Sequence, residues 1–191
     1  MRKDARESFG PDALPMFNAV MITTEHLRLR PLSAADFEQH HELNGHPEVF
    51  RYLGGKPTSR EASWNGCLAQ VGHWVSFGYG MFTIEEKASG RVIGRAGLFR
   101  SERGLGPDFD PFPESGWTLH PSVWGQGYAR EAVLASHEWF DMAHRTARTV
   151  CIISPDNAAS LKIARQLGYA ETGTVAYQGD NVLTLTRFVA A

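Results

Sequence analysis

Trp124-Gly125-Gln126-Gly127-Tyr128-Ala129-Arg130 lies between the strand-like Gly116-Trp117-Thr118-Leu119 and a helix-forming run that starts at Glu131. Two glycines in such a turn let the main chain approach an anion unobstructed. The helix that follows aims its free N–H groups and the positive end of its dipole at that anion. The chemistry this spacing can perform is to cradle a phosphate group, and the pattern suits a pyrophosphate. Glycine-rich turns before helices also occur as plain strand-to-helix connections, so the turn alone leaves both readings open. A second group of residues follows it. The apolar strand Val150-Cys151-Ile152-Ile153 leads to Asp156-Asn157-Ala158-Ala159-Ser160, which opens another helix, and Leu167-Gly168-Tyr169 closes that helix.

Taken in order, Glu114-x-Gly116-Trp117, Pro121-x-x-Trp124-Gly125-x-Gly127-Tyr128-Ala129-x-Glu131-Ala132, Asn157-x-x-Ser160 and Leu167-Gly168-Tyr169 resemble the GNAT superfamily of acyl-CoA-dependent N-acyltransferases. Upstream, Thr24-Glu25-His26-Leu27-Arg28-Leu29-Arg30-Pro31-Leu32 resembles the first strand of the branch that contains the ribosomal-protein-alanine N-terminal acetyltransferases. His46-Pro47-Glu48-Val49-Phe50-Arg51-Tyr52-Leu53-Gly54-Gly55 resembles the turn after that branch's first helix, and the matches together span roughly residues 22–189. The resemblance implies an α/β (α+β) fold, with a mixed, mostly antiparallel seven-stranded sheet flanked by about four helices. That sheet would splay between its fourth and fifth strands, the first ending at His120 and the second at Ser154, with acetyl-CoA lying in the opening. The implied activity is transfer of an acetyl group from acetyl-CoA to a primary amine, either a protein N-terminus or a small molecule, by direct attack in a ternary complex.

The resemblance also carries roles for individual residues. The main-chain amides of Gly125, Gln126, Gly127, Tyr128 and Ala129 would hold the pyrophosphate, because backbone donors are rigid and cannot be titrated away. Trp124 stands where the wider superfamily usually has glutamine or arginine, a departure that leaves the backbone cradle intact. Arg130 either adds a charge-assisted bond to phosphate or is a solvated helix arginine. Tyr128 is expected to pack against the second strand of the opening. Leu119, His120 and their main-chain groups would pair with the pantetheine arm and support the oxyanion, with His120 as a surface or packing residue in the alternative.

Amine acetylation needs a neutral amine, so a base is required near neutral pH. Glu114 matches a position where the branch often carries a glutamate that takes the proton directly or through water; the alternative is a solvated or arginine-paired strand-edge glutamate. The tyrosine that many members place seven residues after the asparagine is here Ala164. Ser160 is therefore assigned to stabilise the leaving thiolate, with a structural serine as the rival reading, and Asn157 to hold a pantetheine amide while capping its helix. The turn at Pro47–Tyr52 and an acidic loop with Asp108 and Asp110 would wall the acceptor side and attract a cationic amine, while Phe109 and Phe112 either join that wall or fasten the loop to the core.

The chain has 191 residues, 42% of them hydrophobic, enough for one sizeable core and too few for two full domains. Nineteen basic and twenty-one acidic residues give a formal charge of −2 with no basic stripe, which disfavours nucleic acid and other polyanionic partners. Cys67 and Cys151 lie far apart in apolar surroundings and read as reduced core fillers. With neither a secretory leader nor a long apolar span, a soluble cytoplasmic protein without a membrane partner is expected. The eight histidines show no zinc-like grouping, and the chemistry requires no metal.

The elements that must position these residues follow from periodicity. Residues 1–20 read as an N-terminal extension whose order depends on packing elsewhere, a disordered arm being the alternative, and residues 21–191 as a single domain. A strand through Leu27, Leu29 and Leu32 precedes a helix from Ser33 to about Asn44. A helix capped at Thr58 or Ser59 runs to about Phe77, with Trp64, Leu68, Val71 and Trp74 or Val75 at three-to-four spacing on one side. Residues 79–84 and 91–99 form a hairpin whose glycines suggest close backbone approach or bulges, and the long loop from Ser101 to Pro113 reads as functional. A strand at 114–120, a helix at 126–143, a strand at 149–154, a helix at 157–167 and a final strand pair at 169–178 and 181–189 complete the order. End strands of such sheets often pair between subunits, so a homodimer is one expected arrangement.

Two rivals stand beside the transferase. One is a non-catalytic acyl-CoA-binding or sensing module, conceivable because the usual tyrosine is missing. The other, a dinucleotide oxidoreductase, lacks a third glycine, an early βαβ unit and a ribose-binding acid.

Overall fold

Leu27 and Leu29 are fully buried while Arg28 between them faces outward, the alternation of a strand with one face on the core. This strand, β2 (Leu27–Arg30), belongs to a computed structural model that describes residues 20–52 and 56–189. The expected extension, apart from Val20, and Leu53-Gly54-Gly55 of the expected turn lie outside the described residues.

The other strands are β1 (Ile22–Thr23), β3 (Met81–Glu86), β4 (Val92–Phe99), β5 (Glu114–Leu119), β6 (Arg148–Ile153), β7 (Ala170–Tyr177) and β8 (Asp180–Phe188). They form one sheet in the order β1-β2-β3-β4-β5-β6-β8-β7. Every neighbouring pair is antiparallel except β5 and β6, which run parallel. The expected sheet of seven strands thus has eight, because Ile22–Thr23, just ahead of the segment expected as the first strand over 24–32, pairs with Arg28 and Leu29 of that segment. Between the two, Thr24 Oγ1 accepts from the Leu27 N–H at 3.1 Å, and the resulting turn makes Ile22–Thr23 a separate edge strand.

Among the described residues there are five α-helices rather than about four: α1 (Phe37–Gly45), α2 (Pro47–Phe50), α3 (Arg60–Phe77), α4 (Tyr128–His144) and α5 (Ala158–Gln166). The extra one, α2, follows from Pro47 at its first position and the His46 side chain accepting from Glu48 N–H. Ser33 and Asp36 form a capping box ahead of α1, Ser59 caps α3, and Gly78 ends α3 at φ +73°.

Helix α3 carries the expected stripe on one side, completed by Val75 rather than Trp74, and that side faces outward. Trp64, Leu68, Val71 and Val75 are the exposed stripe, whereas Ser63, Cys67, Gln70 and Trp74 face inward. The small and polar stripe lets the helix lie close to the sheet and against α1, where His41 pairs with Ser63 Oγ at 3.0 Å. Trp74 is the one large inward side chain. Its indole N–H donates to Met81 O at 3.1 Å, and a Cβ at residue 80 would sit 2.7 Å from the ring, which explains Gly80.

The core lies in two parts. One gathers Leu27, Phe82, Ile84, Ala96, Leu119 and Val133 under α4, and the other gathers Cys151, Leu161, Tyr169 and Leu185 under α5. Trp117 and Leu167 pack against both. Cys67 and Cys151 are buried free thiols.

Candidate active site

The two core parts are separate because β5 and β6 part. Their only Cα partners are Glu114 and Val150, next to a bond from Val150 N–H to Pro113 O at 3.0 Å. Beyond that point the strands diverge around a cleft of about 840 Å³, with Trp117 and Thr118 on one wall and Ile152, Ile153 and Ser154 on the other. The opening is the expected one, numbered one strand later.

At the wide end, β5 runs through a short 3-10 turn (Pro121–Val123) into the glycine turn and α4. Gly125 and Gly127 adopt φ of +77° and +84°, and no atom lies within 4 Å of where either Cβ would be. These glycines therefore serve the left-handed backbone and leave the space in front of it clear. Gly127 is the N-cap without a side-chain cap, and the first bond of the helix runs from Glu131 N–H to Gly127 O at 3.0 Å. The N–H groups of Tyr128, Ala129 and Arg130 precede that bond and have no intrahelical acceptor. Gln126 and Arg130 are exposed. Tyr128 does not reach the second strand of the opening; its ring packs near His26, 5.6 Å between centroids, and joins the core part under α4.

The inner edge of β5 differs from expectation in two atoms. His120 N–H donates to Ile93 O at 2.8 Å and so belongs to the β4 ladder, while its ring accepts from Ser122 N–H as the cap of the 3-10 turn. The Leu119 carbonyl accepts the Trp124 indole N–H at 2.8 Å. By ladder alternation, the Leu119 N–H and both polar groups of Trp117 face the opening. Trp117 is a site residue that sequence reasoning did not assign, although its place in the strand leading to Leu119 marks it.

At the closed end, Glu114 is buried and engaged. Arg103 donates to it through Nε at 2.7 Å and Nη2 at 2.8 Å, and Ser101 Oγ donates to the same oxygen as Nε. A carboxylate offers about four acceptor positions, so one on Oε1 is left. Burial works against the Arg103 cation, yet Glu114 and the hydroxyl of Tyr177, 2.6 Å from Nη1, hold its pKa above the ordinary value. Arg103 and Tyr177 were not assigned from sequence; a lone arginine in a glycine-rich loop and a tyrosine on a late strand carry no spacing signal.

On the β6 side, Asn157 Oδ1 accepts from Ser160 N–H at 3.1 Å and caps α5, and both residues line the cleft. Ala164 is fully buried in the core part under α5.

The acceptor wall is not acidic. Asp110 accepts from the Arg103, Leu105 and Gly106 N–H groups and so folds its own loop, while Asp108 pairs with Arg148. Phe109 is buried and Phe112 lies under the Arg148 guanidinium at 4.1 Å, so both fasten the loop. The wall instead carries Arg51, Lys56 and Arg95 beside Tyr52 and Gln70. Arg95 interrupts the otherwise apolar β4, a signal that the sequence offered and that was not used.

With this geometry in view, the comparisons with known proteins are decisive about class. The acetyltransferase (GNAT) domain family model matches residues 26–170, and the chain belongs to that family. It is an acyltransferase. A Bordetella pertussis protein assigned to the GnaT family of acetyltransferases is 30% identical, with TM-score 0.80 over 88% of this chain and 99% of that one. An acetyltransferase from Agrobacterium tumefaciens is 28% identical, with TM-score 0.75 over 91% and 96% of the two chains. The ribosomal L7/L12 α-N-protein acetyltransferase RimL, solved with coenzyme A, shares the fold at 19% identity and TM-score 0.69 over 89% of this chain and 98% of its own. No described helix is long and apolar enough to cross a membrane.

Proposed function

We propose that this protein transfers an acetyl group from acetyl-CoA to a primary amine by direct attack within a ternary complex. The observation that carries the reading is the parting of β5 from β6 beside a helix start whose amides have no intrahelical acceptor. The amides of Gly125 to Arg130 receive the diphosphate, with Trp124 locking the turn onto β5 and the Asn157 amide reaching the pantetheine arm from the facing wall. The Leu119 N–H and the Trp117 main chain supply the strand edge along which pantetheine lies, and the Leu119 N–H polarises the thioester carbonyl. The RimL structure with coenzyme A supports the choice of ligand by fold.

Glu114 accepts the amine proton through a water on Oε1, since its other acceptor positions are taken by Arg103 and Ser101. The amine lone pair attacks the carbonyl carbon, and as the tetrahedral intermediate collapses the C–S bond breaks while the second N–H proton leaves to the departing sulfur or to solvent. The leaving thiolate is stabilised by the Ser160 hydroxyl at the start of α5.

The test is release of free thiol from acetyl-CoA by the purified protein across amino acids, peptides with free N-termini, polyamines and aminoglycosides. Thiol release that depends on one of these amines supports the transferase. Tight acetyl-CoA binding with no release across the panel supports the sensing module, for which the buried Ala164 and the engaged Glu114 speak.

A further inference from the structure

Arg95 lies mid-strand in β4, with Cα partners Thr83 in β3 and Thr118 in β5. Its side chain is on the face covered by α1 and α3, because on that face His40 bonds Thr83 Oγ1 at 3.0 Å. Arg95 is half-buried and lines the cleft. Among the described residues it has neither a carboxylate partner nor a hydrogen-bond acceptor. The other described arginines without a carboxylate partner, Arg91, Arg130 and Arg145, are all exposed. Burial lowers the Arg95 pKa, the direction expected of a cation partly withdrawn from water with no anion beside it. Its neighbours supply no carboxylate: burial, together with the Arg95 charge itself, pushes His40 down to about 4, burial raises the pKa of the Cys67 thiol and so favours its neutral form, and Thr83, Thr118 and Gln70 are neutral. The carboxylates that line the cleft are Glu114, already paired with Arg103, and Asp156 and Asp180 at the β7–β8 and α5 side.

A second unsatisfied group shares the cleft with it. Gln70 Oε1, on the inward stripe of α3, is buried and has no donor. One wall thus presents a cation that lacks an anion and an acceptor that lacks an N–H, and nothing there favours a polycation.

We propose that Arg95 anchors a carboxylate carried by the amine acceptor, with Gln70 receiving an N–H of the same molecule, so that the acceptor is an amino acid or an acidic peptide rather than a polyamine or aminoglycoside. This rests on the transferase reading and deepens it. A bidentate guanidinium–carboxylate pair in a partly dry site discriminates against a neutral analogue, because the analogue leaves the cation partly desolvated and unpaired.

The test is calorimetric binding and thiol release on the CoA- and acetyl-CoA-loaded protein. The probes are free amino acids and short peptides with acidic side chains, each against its methyl ester or amide, with inorganic phosphate as a competitor. The free carboxylate forms are expected to bind about 10- to 100-fold better than their neutral counterparts. Arg95→Gln should erase that preference while acetyl-CoA affinity stays unchanged, and Arg95→Lys should retain only part of it. The amino-acid and peptide arms identify which source of carboxylate the site takes. Equal binding of acid and ester, binding of phosphate without carboxylates, or an undiminished preference in Arg95→Gln overturns the proposal. The acid and ester comparison needs no variant, so poor folding of the Arg95 substitutions does not rescue it. Carboxylate-selective binding without thiol release would sink the transferase reading alone; thiol release indifferent to carboxylate would sink the Arg95 assignment alone.

Discussion

The indole N–H of Trp124 donates to the main-chain carbonyl of Leu119 at 2.8 Å, joining the glycine turn to the strand edge that precedes it. In the proposed complex the turn and the edge hold opposite ends of one extended coenzyme, which makes their relative position part of the proposed binding site. Trp124 is 47% exposed and contributes little by burial, which leaves this bond as its main structural work.

Trp124→Phe should therefore leave the thermal midpoint nearly unchanged while raising the KM for acetyl-CoA about 3- to 10-fold, the value of one hydrogen bond that fixes the turn. Steady-state kinetics with varied acetyl-CoA measure it. An unchanged KM would mean that the turn is held without the indole.

Glu114→Gln separates the proton route from the ion pair. Loss of the carboxylate charge beside Arg103 should cost roughly 2 kcal/mol, less than for a fully dry pair because the Arg103 side chain is 21% exposed. Turnover should fall about 100-fold near neutral pH and recover in part at high pH, where the amine loses its proton unaided. A drop that is uniform across pH would make Glu114 a structural partner of Arg103 and nothing more.

Stability should fall with acid in a window set by two histidines. Burial pushes both His40 and His137 down to about 4 from an ordinary 6.5. Between those values the unfolded chain binds the protons that the folded protein refuses. Their contribution is thus complete above pH 6.5 and is lost as pH falls through about 4, at roughly 3 kcal/mol or less for each imidazole. Thermal unfolding measured from pH 8 to pH 4.5 should show a flat midpoint above neutrality and a decline below it. A midpoint that rises on acidification would contradict the buried, neutral state of these rings.

Helix α3 predicts a contrast within a single element. Leu68→Gln and Val75→Gln, on the exposed stripe, should change stability by about 0.5 kcal/mol or less, whereas Trp74→Ala should cost about 3 to 5 kcal/mol by opening a cavity under the helix. Denaturant unfolding of the three variants measures it, and a large loss at Leu68 or Val75 would mean that this stripe is covered in solution.

The same helix shows where sequence reading stopped. Period and spacing placed the strands from Met81 onward and the helices that begin at Tyr128 and Ala158 to within a few residues, because alternation and caps are local properties. Which stripe of α3 faces inward is not local: the more apolar stripe is outside, and Trp74 is the one large side chain beside the inward Ser63, Cys67 and Gln70. The glycine turn and the Asn157 cap were legible because their backbone requirements are written in residue type. The partners of His120 N–H, the Leu119 carbonyl and Glu114 were not, since each lies on another element. An acidic acceptor wall was expected from Asp108 and Asp110, but main-chain N–H groups and Arg148 consume both, and Arg95 in the middle of β4 gives the wall the opposite sign.

The most direct measurement is a crystal structure of the protein with coenzyme A. The account places the diphosphate on the N–H groups of Gly125 to Arg130, with the sulfur between β5 and β6 near Trp117 and Ser160. Phosphates bound elsewhere, or β5 and β6 hydrogen-bonded past Glu114 and Val150 with no room for the pantetheine arm, would contradict it.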